Sequence, residues 1–124
     1  MSAEAVRGAR VRLVVVWILQ LLVAAAFVRV GASKLASSPP MVVLFDKIGL
    51  GQWFRYLTGT LEVAGGIGVL IPRLSLYAAL LLMAVMLGAI VSQLTILGGS
   101  ARPAIVLLLL ASAVAWLRRS PKTA

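Results

Sequence analysis

One stretch of the chain, Leu74 to Ala101, runs for 28 residues without a charged side chain. Over the whole chain of 124 residues, 62% are hydrophobic and 12% are charged. A soluble domain has about 45–50% apolar and about 25% charged residues, so this composition is typical of a membrane protein. In lipid, backbone polar groups are satisfied only within helices or closed barrels, and this run is too long for a barrel strand. The sequence therefore predicts an all-α membrane protein.

Four apolar segments are separated by residues that break helices. The breakers are Ser37-Ser38-Pro39-Pro40, Pro72-Arg73 and Gly98-Gly99-Ser100, and Pro103 stands where a last helix begins. Proline removes a backbone donor inside a helix but is favoured in its first turn. We predict one domain over residues 1–124, a bundle of four transmembrane helices at about 11–31, 53–71, 74–97 and 103–117.

The first apolar segment has a second interpretation. Three arginines precede Leu13–Val28, and Ala24-Ala25-Ala26 lies near its end, a layout that a secretory signal shares. As a helix the segment covers about 24 Å, and the flanking Arg12 and Arg29 can extend it by snorkelling. A transmembrane helix is the preferred interpretation, with a signal peptide as the alternative.

The connection between the first two spans contains an apolar segment of its own. Met41 to Leu50 carries polar side chains only at Asp46 and Lys47, and Gly49 and Gly51 end it. The pattern favours a short amphipathic segment in the membrane interface, with a plain ordered loop as the alternative.

The basic residues that give the chain its formal net charge of +9 lie at the ends of the apolar runs. Charges there anchor helices and set topology, whereas no basic stripe with interleaved aromatics indicates nucleic-acid binding. Seven of the 12 basic residues fall on the side that holds both termini, which predicts cytoplasmic termini. The sequence has no Cys and no His, which argues against disulfides, Cys/His zinc sites and the usual haem ligands.

Glu62 is the residue that composition does not explain. It is one of three acidic residues and lies about 13 Å below Trp53, near the middle of the membrane. Thr58, Gly59, Gly65 and Gly66 share its helix face, where small side chains allow a neighbouring helix or a ligand to come close. A carboxylate at this depth indicates a functional site, and Glu62 is our candidate acid/base group.

Other polar residues are predicted near Glu62 from their positions along the spans. The candidate substrate-binding residues are Arg29, Lys34, Arg55, Ser92 and Gln93. Three interpretations stay open: a buried Glu62–Arg29 pair that fixes helix register, a small-molecule pocket anchored by Glu62, or a transport site at which Glu62 binds a proton or a cation. No metal site is predicted.

A series of short motifs over roughly residues 27–97 resembles the DoxX-like family of small four-helix membrane proteins. The motifs are Gly31-x-x-Lys34-Leu35, Met41–Leu50 with Phe45 and Ile48-Gly49-Leu50, Gly59-x-x-Glu62-x-x-Gly65-Gly66, Pro72-Arg73 and Met86-x-x-Ala89-Ile90. The resemblance implies a multi-pass protein of the bacterial inner membrane, and some relatives are small subunits of quinol- or thiosulfate-linked oxidoreductases. Gln93 stands where such proteins often carry a histidine, which argues against histidine-dependent chemistry.

Three functions follow as hypotheses. The first is an accessory subunit of a membrane-linked oxidoreductase without a cofactor of its own, which would contact a partner protein or further copies of itself. The second is a small enzyme or lipophile-binding protein that uses Glu62 on a quinone or another hydrophobic molecule. The third is a small proton-coupled transporter, against which the position of Glu62 in the second span argues.

Overall fold

The computed structural model describes residues 2–119, and within that range every regular element is helical. The helices are α1 (Ala3–Leu35), α2 (Pro39–Ile48), α3 (Gln52–Val69), α4 (Ser75–Ser92) and α5 (Arg102–Arg118), and a π-helical turn, Gln93–Leu97, continues α4. The prediction of an all-α protein is confirmed for these residues. Lys122, which contributes to the predicted charge asymmetry, lies outside the described range.

Helix α1 is longer than the predicted span of about 11–31, with 33 residues. It begins earlier because the hydroxyl of Ser2 accepts a 3.1 Å hydrogen bond from the amide of Ala5. In addition, Glu4 lies in the first turn, where the helix dipole is positive. The basic residues that follow are good helix formers, so polarity did not end the helix there. Both α1 and the continuous helix Ser75–Leu97 are long and apolar enough to cross a membrane.

Four helices form a ring in which α1 packs on α3, α3 on α4, α4 on α5, and α5 on α1. Their shared core is apolar and includes Val23, Phe27, Val69, Leu82 and Val114, each of which is fully buried. Because α1 supplies part of this core, it is a structural member of the bundle.

Glycines bring α1 and α3 into backbone contact. A Cβ atom on Gly31 would lie 2.7 Å from the carbonyl oxygen of Gly59, and one on Gly59 would lie 3.0 Å from the carbonyl oxygen of Gly31. Further along, a Cβ on Gly66 would lie 3.3 Å from the carbonyl oxygen of Ala24. These contacts run in opposite chain directions, so the two helices are antiparallel, and they fix the register, because a side chain at Gly31 or Gly59 would force the helices apart.

Helix α2 covers one end of the ring and packs on α3 and the π-helical turn. Pro39 and Pro40 occupy its first turn, and Gly49 ends it in the left-handed conformation with φ of 83°. The predicted segment is thus helical rather than an irregular loop. A tilted contact between the rings of Phe45 and Phe54, with centroids 5.9 Å apart, holds α2 against α3.

The opposite end of the ring is closed by a polar contact between α1 and α5. The Nε group of Arg118 donates a 2.6 Å hydrogen bond to Oε1 of Gln20, and both side chains are buried. The guanidinium also lies 5.8 Å from the centre of the Trp17 ring. Since Arg118 ends the last helix, this contact ties the end of the described chain back to α1.

Replacing Gln20 with leucine is expected to lower the free energy of unfolding by about 1.5–3 kcal/mol, the usual contribution of a hydrogen bond to a charged group. The measurement is the unfolding midpoint of the purified protein in mixed detergent micelles. Gln20→Glu is the matched control, because it keeps an acceptor for Arg118 and should retain stability. Equal stability of Gln20→Leu and the wild type would show that this contact does not hold the bundle closed.

Candidate functional site

Glu62 lies on α3 with no solvent-exposed surface and forms an ion pair with the ammonium group of Lys34 on α1. This is the one salt bridge between residues 2 and 119. The side chain of Lys34 is 12% exposed, so both charges are removed from bulk solvent. A buried charge is stable only when it is paired, and Lys34 supplies that pairing from the neighbouring helix.

The glycine contacts explain why these two side chains meet. Lys34 follows Gly31 by three residues, and Glu62 follows Gly59 by three, so each lies on the glycine face of its own helix. The Cβ atom of Lys34 would be only 2.9 Å from a Cβ on Gly59. The close approach of α1 and α3 therefore brings the ammonium and carboxylate groups together.

Arg55 supports the same junction from one side. Its guanidinium donates a hydrogen bond to the backbone carbonyl of Lys34 and a 2.7 Å hydrogen bond from Nε to Oε1 of Gln52. Gln52 in turn donates a 3.1 Å bond to the carbonyl of Val42 in α2. Arg55 is therefore a positioning residue that joins the end of α1, the start of α3 and the covering helix α2.

A cavity of about 750 Å³ lies between these helices on the side covered by α2. Its wall is mostly apolar and includes Met41, Leu44, Phe45 and Ile48, which form one face of α2 at three- and four-residue spacing. Helices α3, α4 and α5 supply most of the remaining apolar wall, with Leu61, Ala89 and Leu107 among the lining residues. Cavities that bind small molecules have this size and this mainly apolar lining with a few polar groups.

The polar wall of the cavity is formed by Lys34, Thr58, Glu62, Ser92 and Gln93, with Ser100 near the start of α5. The hydroxyl groups of Thr58 and Ser92 donate to backbone carbonyls of their own helices, at 3.0 and 2.9 Å. In contrast, Oε2 of Glu62 and Oε1 of Gln93 are buried without a hydrogen-bond partner among the described residues. The cavity thus presents unsatisfied acceptors.

Gln93 reaches the cavity wall where the helix changes its winding. The π-helical turn begins at this residue, and Gly98 ends it with φ of 66° while its amide donates a 2.9 Å bond to the carbonyl of Gln93. Such turns insert a residue into the helical repeat and often occur at functional sites. The predicted third span of about 74–97 agrees with the combined length of α4 and this turn, but the sequence did not indicate the change of winding.

The predicted site residues fall into two groups. Lys34, Ser92 and Gln93 line the cavity with Glu62, whereas Arg55 is buried beside it and contacts the backbone of Lys34. Arg29 is exposed and is absent from the cavity wall. The interpretation in which Glu62 pairs with Arg29 is wrong. Arg29 lies two residues from Gly31 and is therefore on the opposite side of α1.

Sequence reasoning missed two features of the molecule. It did not identify α2 as the cover of the cavity, although the spacing of Met41, Leu44, Phe45 and Ile48 carried that signal. It also gave no role to Gln20, the one polar side chain in the apolar part of α1. Among residues 2–119, no group of three His, Cys, Asp or Glu side chains could hold a metal ion.

Comparison with known families identifies the kind of protein that has this arrangement. The profile of the DoxX-like family matches residues 18–116, which include most of α1 and all of the cavity wall. The chain belongs to the DoxX-like family. Family membership and the two long apolar helices together make this DoxX-like chain a small membrane protein. Searches of curated proteins and of solved structures give no significant match.

Proposed function

We propose that this DoxX-like protein binds a hydrophobic small molecule in the cavity between α2 and the helix ring, with Glu62 as its polar anchor. The observation that carries the proposal is the cavity itself, about 750 Å³ in volume, mainly apolar, and lined by a buried carboxylate with one unpartnered oxygen. A packed structural core would leave neither the volume nor the orphaned oxygen. An isoprenoid, a quinone or another lipophile has the required chemistry.

The membrane arrangement that accompanies this proposal is a bundle of four spans, formed by α1, α3, α4 with the π-helical turn, and α5. Helix α2 then lies in the interface on the side opposite both termini. Arg7, Arg10, Arg12, Arg73 and Arg119 belong to the terminal side, which supports cytoplasmic termini in a bacterial inner membrane. In this orientation the cavity opens toward the outer half of the bilayer, where a lipophile has access to it.

A role as an accessory subunit of a membrane-linked oxidoreductase is compatible with lipophile binding and remains a second proposal. It is supported by the absence of Cys and His from the sequence, because redox chemistry would then reside on a partner protein or on the bound molecule. Copurification of a redox partner from native membranes, dependent on this chain, tests it. Proton-coupled transport has less support, since Glu62 is already paired with Lys34.

Binding is tested with tritiated farnesol, an apolar isoprenoid alcohol, and the purified protein in lipid nanodiscs. Saturable binding at about one molecule per chain is expected, with empty nanodiscs giving the non-specific background. Binding that does not exceed this background would overturn the proposed lipophile binding, as would binding that cannot be saturated.

Filling the cavity should remove binding without unfolding the protein. Ala89→Phe places a large side chain in the cavity wall, and we expect farnesol affinity to fall at least about tenfold, because occupied volume excludes the probe. Leu87→Phe is the control, since Leu87 is 53% exposed on the same helix and does not line the cavity. Equal affinity of both variants would place the bound probe elsewhere.

A further inference from the structure

The unsatisfied atoms of the cavity define the polar group that its ligand must carry. We infer that the ligand bears a hydroxyl group that donates a hydrogen bond to Oε2 of Glu62, so that the cavity selects hydroxylated lipophiles over their ethers and ketones. This inference rests on the proposed lipophile binding and specifies the class of molecule that is bound.

No hydrogen-bond donor on the described cavity wall reaches the two unsatisfied oxygens. Lys34 donates to Oε1 of Glu62, and the hydroxyl groups of Thr58 and Ser92 are engaged with backbone carbonyls of α3 and α4. None of these groups reaches Oε2 of Glu62 or Oε1 of Gln93, which have no partner among residues 2–119. A buried carboxylate oxygen without a donor is costly, so a donor on the ligand would remove that cost.

The described cavity wall carries no net charge. Glu62 and Lys34 neutralise each other, and no further charged side chain lines the wall within the described residues. A ligand with a fixed charge would have to leave water for an apolar cavity without a counterion. The cavity therefore favours a neutral molecule.

A hydroxyl group satisfies both conditions. It is neutral and it donates one hydrogen bond. Its oxygen can also accept a hydrogen bond from one of the remaining N–H groups of Lys34. A ketone or a methyl ether can accept from Lys34 but leaves Oε2 of Glu62 unsatisfied. Hydrogen bonds to charged acceptors are among the stronger ones in proteins, so the donor should dominate discrimination between otherwise identical molecules.

The test is competition against tritiated farnesol in nanodiscs, with unlabelled farnesol and farnesyl methyl ether as competitors. The two molecules share the isoprenoid chain and differ only in the donor. We expect the ether to compete at least about tenfold more weakly, the effect of losing one hydrogen bond to a charged group. Equal competition by the ether would overturn the inference and leave lipophile binding intact, whereas absence of farnesol binding would overturn the proposed function itself.

A pair of variants assigns the discrimination to Glu62. The double variant Lys34→Met with Glu62→Leu removes both charges together, and the alcohol and the ether should then compete within about twofold of each other. Asp46→Asn is the control, because Asp46 is exposed on the outer side of α2, and it should keep the wild-type ratio. A preference for the alcohol that survives the double variant would place the donor interaction at another residue and overturn the assignment.

Discussion

Lys34→Met is expected to lower the free energy of unfolding by about 3–5 kcal/mol, the usual cost of breaking a buried ion pair by removing one partner. The loss arises because Glu62 has no exposed surface, so without Lys34 it would be either charged without a counterion or protonated and deprived of its ion pair. Reversible unfolding in mixed micelles, followed by circular dichroism against increasing SDS, measures the change. Met is close to Lys in length, so the packing of the aliphatic stem is largely retained.

A double-mutant cycle separates the pair from its surroundings. Lys34→Met combined with Glu62→Gln should recover much of the lost stability, because the uncompensated charge is then gone. Arg29→Met is the control on the same helix, and since Arg29 is exposed the change should stay within about 0.5 kcal/mol. Coupling of Glu62 to Arg29 instead of Lys34 would contradict the register of α1 and α3 described above.

Gly31→Ala adds one methyl group to the bundle, and we expect it to be the most disruptive addition of this size. The new Cβ would lie 2.7 Å from the carbonyl oxygen of Gly59 and 2.8 Å from a methyl group of Val63, and backbone cannot move aside as a flexible side chain can. We expect a loss of about 1–3 kcal/mol in the free energy of unfolding, the cost of overpacking a well-packed interface. The same displacement would separate Lys34 from Glu62, so farnesol binding should fall with stability.

Gly88→Ala provides the matched control for this substitution. Gly88 lies within α4, and a Cβ there would meet no atom within 4 Å. Alanine is a better helix former than glycine by about 1 kcal/mol, so this variant should be as stable as the wild type or more stable. If Gly31→Ala were equally harmless, the helices would not approach each other as closely as the glycine contacts require.

Much of the fold followed from local features of the sequence. The positions of Pro39, Pro72 and Pro103 predicted where helices begin and end to within a few residues, because proline acts on the backbone of its own turn. The start of α1 was predicted too late, since a basic segment can be helical outside an apolar run. The π-helical turn at Gln93 gave no sequence signal, and in the structure it packs against α2.

The candidate site was predicted in part. Glu62 was identified because the cost of a carboxylate among apolar residues is a property of the sequence itself. Its partner, Lys34, was not identified, because the choice depends on which face of α1 contacts α3. Gly31 and Lys34 are three residues apart and share a face, whereas Arg29 and Lys34 are five residues apart and differ by about 140° around the helix. Without knowing that Gly31 contacts α3, neither basic residue could be preferred.

The sequence by itself determined the class of protein, the helical segments and the choice of Glu62 as the candidate site residue, because each depends on the free energy of a residue in its own surroundings. Only the tertiary structure decided that Lys34 pairs with Glu62, that Arg55 holds the end of α1, and that α2 covers a cavity. These depend on the register between helices distant in the chain. That register is fixed by backbone contacts at Gly31, Gly59 and Gly66, where the absence of a side chain is the decisive feature.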